Sequence, residues 1–463
     1  MKLALLIIMK TLVAGTSIAS LTETGMERQI TSAPHGHVLT NVNVWSPDAQ
    51  WIVYDVRAGD AFDGAVIEQV NVRTGEVRRL YESGDGAQCG VVTCSPVEPK
   101  VVFIHGPGKP TADWSYGFTR RRGAVVDVRV PGVARPLDAM NYVPPFIPGA
   151  LRGGSHVHVF SPDGHWVNFT YEDEVLARLD AEPNAAPHEP NQRNVGVAVP
   201  AGPIRVNRNH PRNHDGDWFS VVVTRTVARP RPGSDEISRA FEEGWVGRGG
   251  YVRLDGSRQR HALVFQGLVT APDGTQHAEV FIVDLPDDLT QHGESSLEGT
   301  ATLRPAPPRG VQQRRLTFTS GRQYPGVAAS PRHWLRTSPD GTQVAFLMND
   351  DAGIVQLWTV SPRGGKPSQV THNAMPIASA FTWSPDGRNI AHLMDGSVCI
   401  TEMATGRTTR LTERHEGAAN PLPQACVFSP DGASIAYMRK VAAPAGTFTQ
   451  IFVVAAPAPA GPH

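Results

Sequence analysis

An all-β fold follows from three observations in the sequence. Turn formers are abundant, with 45 Gly and 39 Pro in 463 residues, and the chain is 40% hydrophobic and 19% charged, a composition that folds and that disfavours a long helical bundle. An aromatic-Ser-Pro-Asp-Gly motif, followed within a few residues by an apolar alternating run, recurs along the chain. Its last three copies, with serines at Ser338, Ser384 and Ser429, begin 46 and 45 residues apart, the length of one four-stranded blade. Together they predict a seven-bladed β-propeller, a single domain over residues 26–455, with an N-terminal strand closing the last blade.

Residues 1–25 offer Lys2, an apolar run from Leu3 to Ile8, and a small-residue exit at Ser17 and Ala19, which reads as a signal peptide. Lys10 interrupts that run and the segment from Met26 already resembles folded protein, so a mis-assigned start is the other reading. The first reading implies a periplasmic or secreted protein and the second a cytoplasmic one. Arg28-Gln29-Ile30-Thr31 shares the outer-strand pattern of Arg315-Leu316-Thr317, Gln369-Val370-Thr371 and Arg410-Leu411-Thr412. A strand there has no blade of its own and would complete the last blade, whose third strand is expected at Gln450 to Val454. The hairpin copies at Trp45-Ser46-Pro47-Asp48, Cys94-Ser95-Pro96 and Phe160-Ser161-Pro162-Asp163-Gly164 each join the inner two strands of a blade, Pro presetting the turn and Asp-Gly tolerating the bend.

From Ser161 to Ser338 the motif is missing, and an enlarged fourth blade is expected at about residues 205–310. Its inner strand is placed in Trp218 to Val227, and outer strands in His261 to Gly267 and Glu279 to Leu285. A short helix is expected from Ser234 to Gly244, where a Ser cap precedes acidic residues. Thr300 to Arg309 and the tail 456–463 read as linkers.

Charge excludes several function classes. With 43 Lys+Arg against 44 Asp+Glu, nothing draws the whole chain to nucleic acid or an anionic membrane, and no run of about 18 apolar residues could form a spanning helix. Four scattered cysteines make neither a disulfide scaffold nor a zinc ribbon. Phosphate-binding GxxxxGK[ST] loops, HExxH helices and a nucleophile elbow are absent.

In a propeller, functional groups converge where inner strands and their loops meet the central channel. Three segments stand out. His105 leaves an apolar strand into Gly106-Pro107, followed by Trp114, Tyr116 and the run Arg120-Arg121-Arg122, which could hold a carboxylate; a solvated turn is the plain alternative. Arg152-Gly153-Gly154-Ser155-His156-Val157-His158 places His156 and His158 on one strand face by alternation, as a general base or metal ligands, while Gly153 and Gly154 allow close approach. Two satisfied histidines would look the same. Arg332-His333-Trp334-Leu335-Arg336 could add a ligand and charge clamps from another blade, or stack Arg on Trp334. His35 and His37 form a weaker version of the same arrangement.

The hairpin copies resemble the TolB-type propeller repeat, and from Met26 onward the chain resembles the YidR-type family of bacterial proteins. That resemblance lies in Gln29-Ile30-Thr31, His105-Gly106-Pro107, Arg152 to His158, Gly233-Ser234-Asp235-Glu236-Ile237, Gly244-Trp245-Val246-Gly247 and Pro331-Arg332-His333-Trp334. The order Ser95-Pro96, Phe103, His105, Gly106-Pro107, Trp114 and Arg120 to Arg122 is more distantly similar to oligogalacturonate lyases, seven-bladed propellers that act on uronate oligomers with manganese and a histidine base. The resemblance implies β-elimination on an acidic oligosaccharide. His156 or His158 would be the base, and Arg121, Arg152 and His333 with a divalent ion, manganese or calcium, would neutralise the acid group. In that picture His105, Trp114, Tyr116, Arg122, Arg332 and Arg336 bind substrate, and His333, His156 and His158 are the metal ligands. The other reading is a non-catalytic TolB-like propeller that binds a protein or a small ligand.

Overall fold

The computed structural model describes residues 27–58 and 61–457, and within them seven four-stranded antiparallel sheets follow one another around a central channel. The expected leader at 1–25 and all but the first two residues of the tail at 456–463 lie outside the described residues. From the channel outward, blade 1 is Gly36–Val38, Trp51–Arg57, Val66–Asn71 and Val77–Glu82, and blade 2 is Cys89–Cys94, Lys100–His105, Arg122–Asp127 and Ala134–Pro136. Blade 3 is Gly153–Phe160, Val167–Asp173, Asn194–Val199 and Phe219–Val222, and blade 4 is Ala240–Trp245, His261–Thr270, Gln276–Leu285 and Gln312–Arg315. Blades 5 and 6 start at Arg336–Thr337 and Thr382–Trp383. Blade 7 is Pro421–Phe428, Ser434–Ala443 and Gly446–Ala455, completed by Arg28–Gln29 from the other end of the chain.

The repeated motif has a visible chemical reason. Ser161 Oγ donates to Asp163 at 2.5 Å and accepts the backbone N–H of Trp166 at 3.0 Å, which tightens the turn and starts the next strand in register. Ser46, Ser338, Ser384 and Ser429 repeat both bonds. Turns of neighbouring blades also touch: a Cβ on Gly387, held at φ +73°, would sit 3.3 Å from Pro339 of the preceding blade. Three indoles reinforce the ring, because Trp45, Trp245 and Trp383 each donate Nε1–H to a carbonyl of the adjacent blade, Val427, Val159 and Arg336 respectively.

The core is distributed as seven apolar layers, one between each pair of neighbours. Blades 3 and 4 share Val195, Val197, Val221, Leu263, Phe265 and Phe281, while blades 7 and 1 share Ile52, Tyr54, Val70, Val427, Met438 and Ile451. Each layer covers one face of each of two neighbouring sheets, so a sheet is buried on both faces only when both of its neighbours are in place. The closing strand is held by Ile30 N–H to Ile451 O at 2.8 Å and by Thr31 Oγ to Gln450 at 2.8 Å.

Between Ser161 and Ser338 the arrangement differs from expectation in three ways. Phe219–Val222, expected as an inner strand, is the outermost strand of blade 3; its continuous apolar run arises because blade 4 covers its exposed side. Instead of a helix from Ser234 to Gly244, Ala240–Trp245 is the inner strand of blade 4, and Ser234 closes a turn in which Arg231 pairs with Glu236. The insertion is shared: blade 3 carries the helix Glu174–Ala181, capped by Asp173, and the long 200–218 connection, while blade 4 replaces the Ser-Pro hairpin with a small ribbon, Tyr251–Val252 paired with Arg258–Gln259.

Candidate functional site

Three consecutive inner strands are distorted at the same height. Val91, Val157 and Glu242 have φ of +56°, +55° and +55°, and at each the pairing slips, between Gly90 and Thr93, His156 and Val159, and Phe241 and Gly244. A β-branched residue in the left-handed region costs on the order of 1–3 kcal/mol, and such bulges re-aim side chains. Here they break the alternation. His156 and Val157 both face the channel, Val159 joins them beside Trp334, and His158 is turned away between blades 2 and 3.

The bulges line a cavity of about 1260 Å³ at the end of the channel where the inner strands begin. Its walls carry five arginines, but most are occupied. Arg57 pairs with Asp55 at 2.5 Å, Arg193 with Glu172 at 3.2 Å, and Arg332 grips Glu242 at 2.8 and 3.3 Å while lying over Trp334. Arg239 lies over Phe241. Arg121 is different: only 5% exposed, it donates once, to Tyr116 Oη at 3.0 Å, and its Nε and a second terminal nitrogen are buried without a partner. Among the described residues His156 has no hydrogen-bond partner at either ring nitrogen, and its Nδ1 is buried. Burial first, then Arg121, Arg193 and Arg332, hold its imidazole well below the ordinary value, so it is neutral at pH 7. Phe62, stacked on Tyr116, and Trp334 add aromatic surface.

Four of the sequence-predicted residues therefore converge: Tyr116, Arg121, His156 and Arg332. His105, Trp114 and Arg122 line a separate side cavity of about 320 Å³, whose wall Arg121 shares. Arg336 sits at the other end of the channel, in a cavity of about 440 Å³, donating to Asn41 Oδ1 and Leu335 O; burial pushes its pKa down to about 10. Behind Glu242, Glu243 faces that lower cavity, bonded to Asn168 and Thr170, and burial pushes its carboxyl up to about 7.

Three of the expected residues, His158, Arg152 and His333, lie outside the central cavity. His158 is fully buried and engages Ser155 Oγ at 3.0 Å, which in turn donates to Asp138, a carboxylate that also accepts from Ser220 and Gly123; this network ties blade 2 to blade 3. Arg152, 1% exposed, pairs with Asp173 at 2.7 Å and donates to the carbonyls of Thr300 and Leu303, pinning the 300–309 segment. His333 donates Nδ1–H to Pro331 O and accepts Leu347 N–H at Nε2, leaving no lone pair for a metal. His35 and His37 stack on one another beside blade 7.

A divalent cation does not fit these residues. Among the described residues no three His, Cys, Asp or Glu are grouped to hold one, and the cavity carboxylates Asp55 and Glu242 are each neutralised by an arginine. His156 is surrounded by guanidinium groups that repel cations. Sequence reasoning missed Arg193, Arg239 and Glu242. Arg193 lies in a connection whose length hid its blade, and Glu242 in an inner strand rich enough in acid to read as a helix start.

A closed seven-bladed propeller with a basic, aromatic-walled cavity at one channel mouth is the class that the fold and the site define. The chain belongs to the family of YidR from Escherichia coli (strain K12), an uncharacterised protein to which it is 49% identical over 416 residues, 89% of this chain and 94% of the relative. Residues 88–214 match a family described as a protein of unknown function, DUF3748; the segment holds Tyr116, Arg121, Arg122 and His156. Among solved structures, an oligogalacturonate lyase from Vibrio parahaemolyticus aligns at a TM-score of 0.52 and 11% identity, covering 94% of this chain and 95% of that one. An oligogalacturonate lyase in complex with manganese aligns at 0.50 and 11%, covering 94% and 93%. At that identity the likeness is one of fold.

Proposed function

We propose that the central cavity binds the acidic residue of a uronate-containing oligosaccharide and that the chain cleaves it by β-elimination, with His156 as base. The carrying observation is the pairing, in one wall, of a neutral imidazole without hydrogen bonds and a buried guanidinium with unpaired donors. Abstraction of a proton α to a carboxylate needs a neutral base and a positive group that stabilises the enolate-like charge. In this reading His156 takes the C5 proton, Arg121 neutralises the carboxylate, the C4–O bond breaks as the C4=C5 bond forms, and the proton leaves with the departing sugar oxygen. Arg193 and Arg332, already paired, set the field and orient neighbouring sugars, and Trp334 and Tyr116 offer ring surfaces. The cation role falls to arginine because the donor set disfavours a metal.

The test is incubation of the purified protein with a panel of uronate oligomers, following the ultraviolet absorbance of the unsaturated product, with binding measured in parallel by calorimetry. Turnover in wild type and its loss in His156→Gln with binding retained supports the reading. Saturable binding of the oligomers without product in wild type overturns the lyase and leaves a binding propeller. Neither binding nor product overturns the substrate class.

A further inference from the structure

The side cavity of blade 2 holds an unpaired cation that the central cavity does not explain. Arg122 opens the third strand of that blade, opposite His105 on the second, and among the described residues its guanidinium makes no hydrogen bond or ion pair while its Nε is buried without a partner. Two neighbouring cations are engaged, Arg120 with Glu174 at 2.9 Å and with Asp113 O, and Arg212 with the carbonyls of Gly108 and Lys109, while Arg121 is bonded to Tyr116 on the side of the central cavity. Arg120, Arg178 and Arg212 also crowd Trp114 within 5.9 Å, closing its faces to a sugar. Asp85 is the acid at the rim, and it pairs with Ser83 and Ala87 N–H instead of Arg122. Arg122 is half-buried, and an unpartnered Nε withdrawn from water is costly unless a ligand anion completes it.

Across the cavity, His214 donates Nδ1–H to Asp215 O at 2.9 Å, which fixes the tautomer and leaves Nε2 a bare acceptor. Burial, then Arg122, push this imidazole down to about 3, so Nε2 stays unprotonated. His105 is satisfied at both nitrogens, by Gly106 O and the Tyr81 hydroxyl. Tyr142 lines the same space, and its hydroxyl makes no hydrogen bond among the described residues. The walls are preset: Arg212 ties the 207–214 segment to the 107–110 loop, and Asn213 Oδ1 accepts Tyr142 N–H at 2.9 Å.

A free donor fork facing a free acceptor selects a ligand with both negative oxygens and an O–H of its own. We propose that this cavity binds a small oxyanion that carries its own hydroxyl, of which hydrogen phosphate is the simplest, with Arg122 holding the anionic oxygens and His214 Nε2 accepting the ligand's O–H. The inference is independent of what occupies the central cavity.

The experiment is calorimetric titration of the full chain with inorganic phosphate, sulfate and glucose 1-phosphate at neutral pH, where every form of inorganic phosphate carries at least one proton. Sulfate matches phosphate in shape and has no hydroxyl. The expected result is saturable phosphate binding at least about tenfold tighter than sulfate, lost in Arg122→Met, partly kept in Arg122→Lys and unchanged in Arg193→Met, with His214→Leu removing the preference for phosphate. Tighter binding of glucose 1-phosphate would assign the site to an ester, and tighter binding of inorganic phosphate to the free ion. Because it removes a half-buried charge whose Nε has no partner, Arg122→Met is also expected to raise the Tm without ligand and to abolish the rise that phosphate gives wild type. Absence of phosphate binding, equal affinity for sulfate, or loss in Arg193→Met but not in Arg122→Met would overturn the proposal.

Discussion

Two residues of similar sequence appearance have opposite fates, and the difference is measurable. Arg121 keeps unpaired donors in the wall of the cavity, whereas Arg152 is locked between Asp173 and two carbonyls. Arg152→Met should therefore destabilise the fold by about 3–5 kcal/mol, because Asp173 is left buried and unpaired, as urea unfolding would report. Arg121→Met should leave the midpoint within about 1 kcal/mol of wild type while weakening binding of the acidic ligand. For His156 the sign of the pH dependence is fixed by its neutral state: its folded pKa lies well below 6.5, so the basic form persists as pH falls through 6.5 and the acid limb of kcat/KM lies well below that value. An acid limb near 6.5 would exclude His156 as the base. His156→Gln should lower kcat by about 10²–10⁴ with little change in KM. The histidines were visible in the sequence, but their roles were not. Alternation places His156 and His158 together, and only the slip at Val157, which no residue pattern announces, separates them.

At the scale of elements, the Ser-Pro-Asp-Gly turn was legible because its chemistry is local: one hydroxyl makes two bonds within five residues. Blade 4 was not legible because a ribbon replaces that turn, and its inner strand Ala240–Trp245 is polar on the channel side. The helix Glu174–Ala181 escaped notice although Asp173 caps it, since Asp173 also ends a strand and pairs with Arg152. The Gly153-Gly154 pair behaves as its small size suggests. A Cβ on Gly154 would lie 2.0 Å from the backbone oxygen of Phe118, and one on Gly153 2.1 Å from that of Glu172. Gly154→Ala is thus expected to cost about 1–3 kcal/mol and to loosen the 116–121 segment that carries Tyr116 and Arg121, seen as faster amide exchange there.

On the scale of the whole molecule, closure and charge set the stability. Removing residues 27–31 uncovers the edge of Gly446–Ala455, so the truncated chain should melt at lower temperature and self-associate, which light scattering during a thermal ramp would detect. Burial pushes His37, His105, His333 and His392 down to about 4. Unfolding lets each bind a proton between pH 6.5 and 4, so stability is full above 6.5 and falls by up to about 1.4 kcal/mol per pH unit for each histidine as pH drops toward 4. Acid unfolding monitored by circular dichroism should lie in that window. The pairing of Arg28 with Val453 and Gln29 with Phe452 also sets a schedule for biosynthesis. Arg28–Gln29 leaves the ribosome roughly 20 to 85 s before the strand it pairs with, at ordinary elongation rates. Six blades can assemble during that interval, but the outer strand of the seventh has no sheet to join until Gly446–Ala455 emerges, so the nascent ring stays open and is closed by the docking of two segments distant in sequence rather than by the growth of a hairpin.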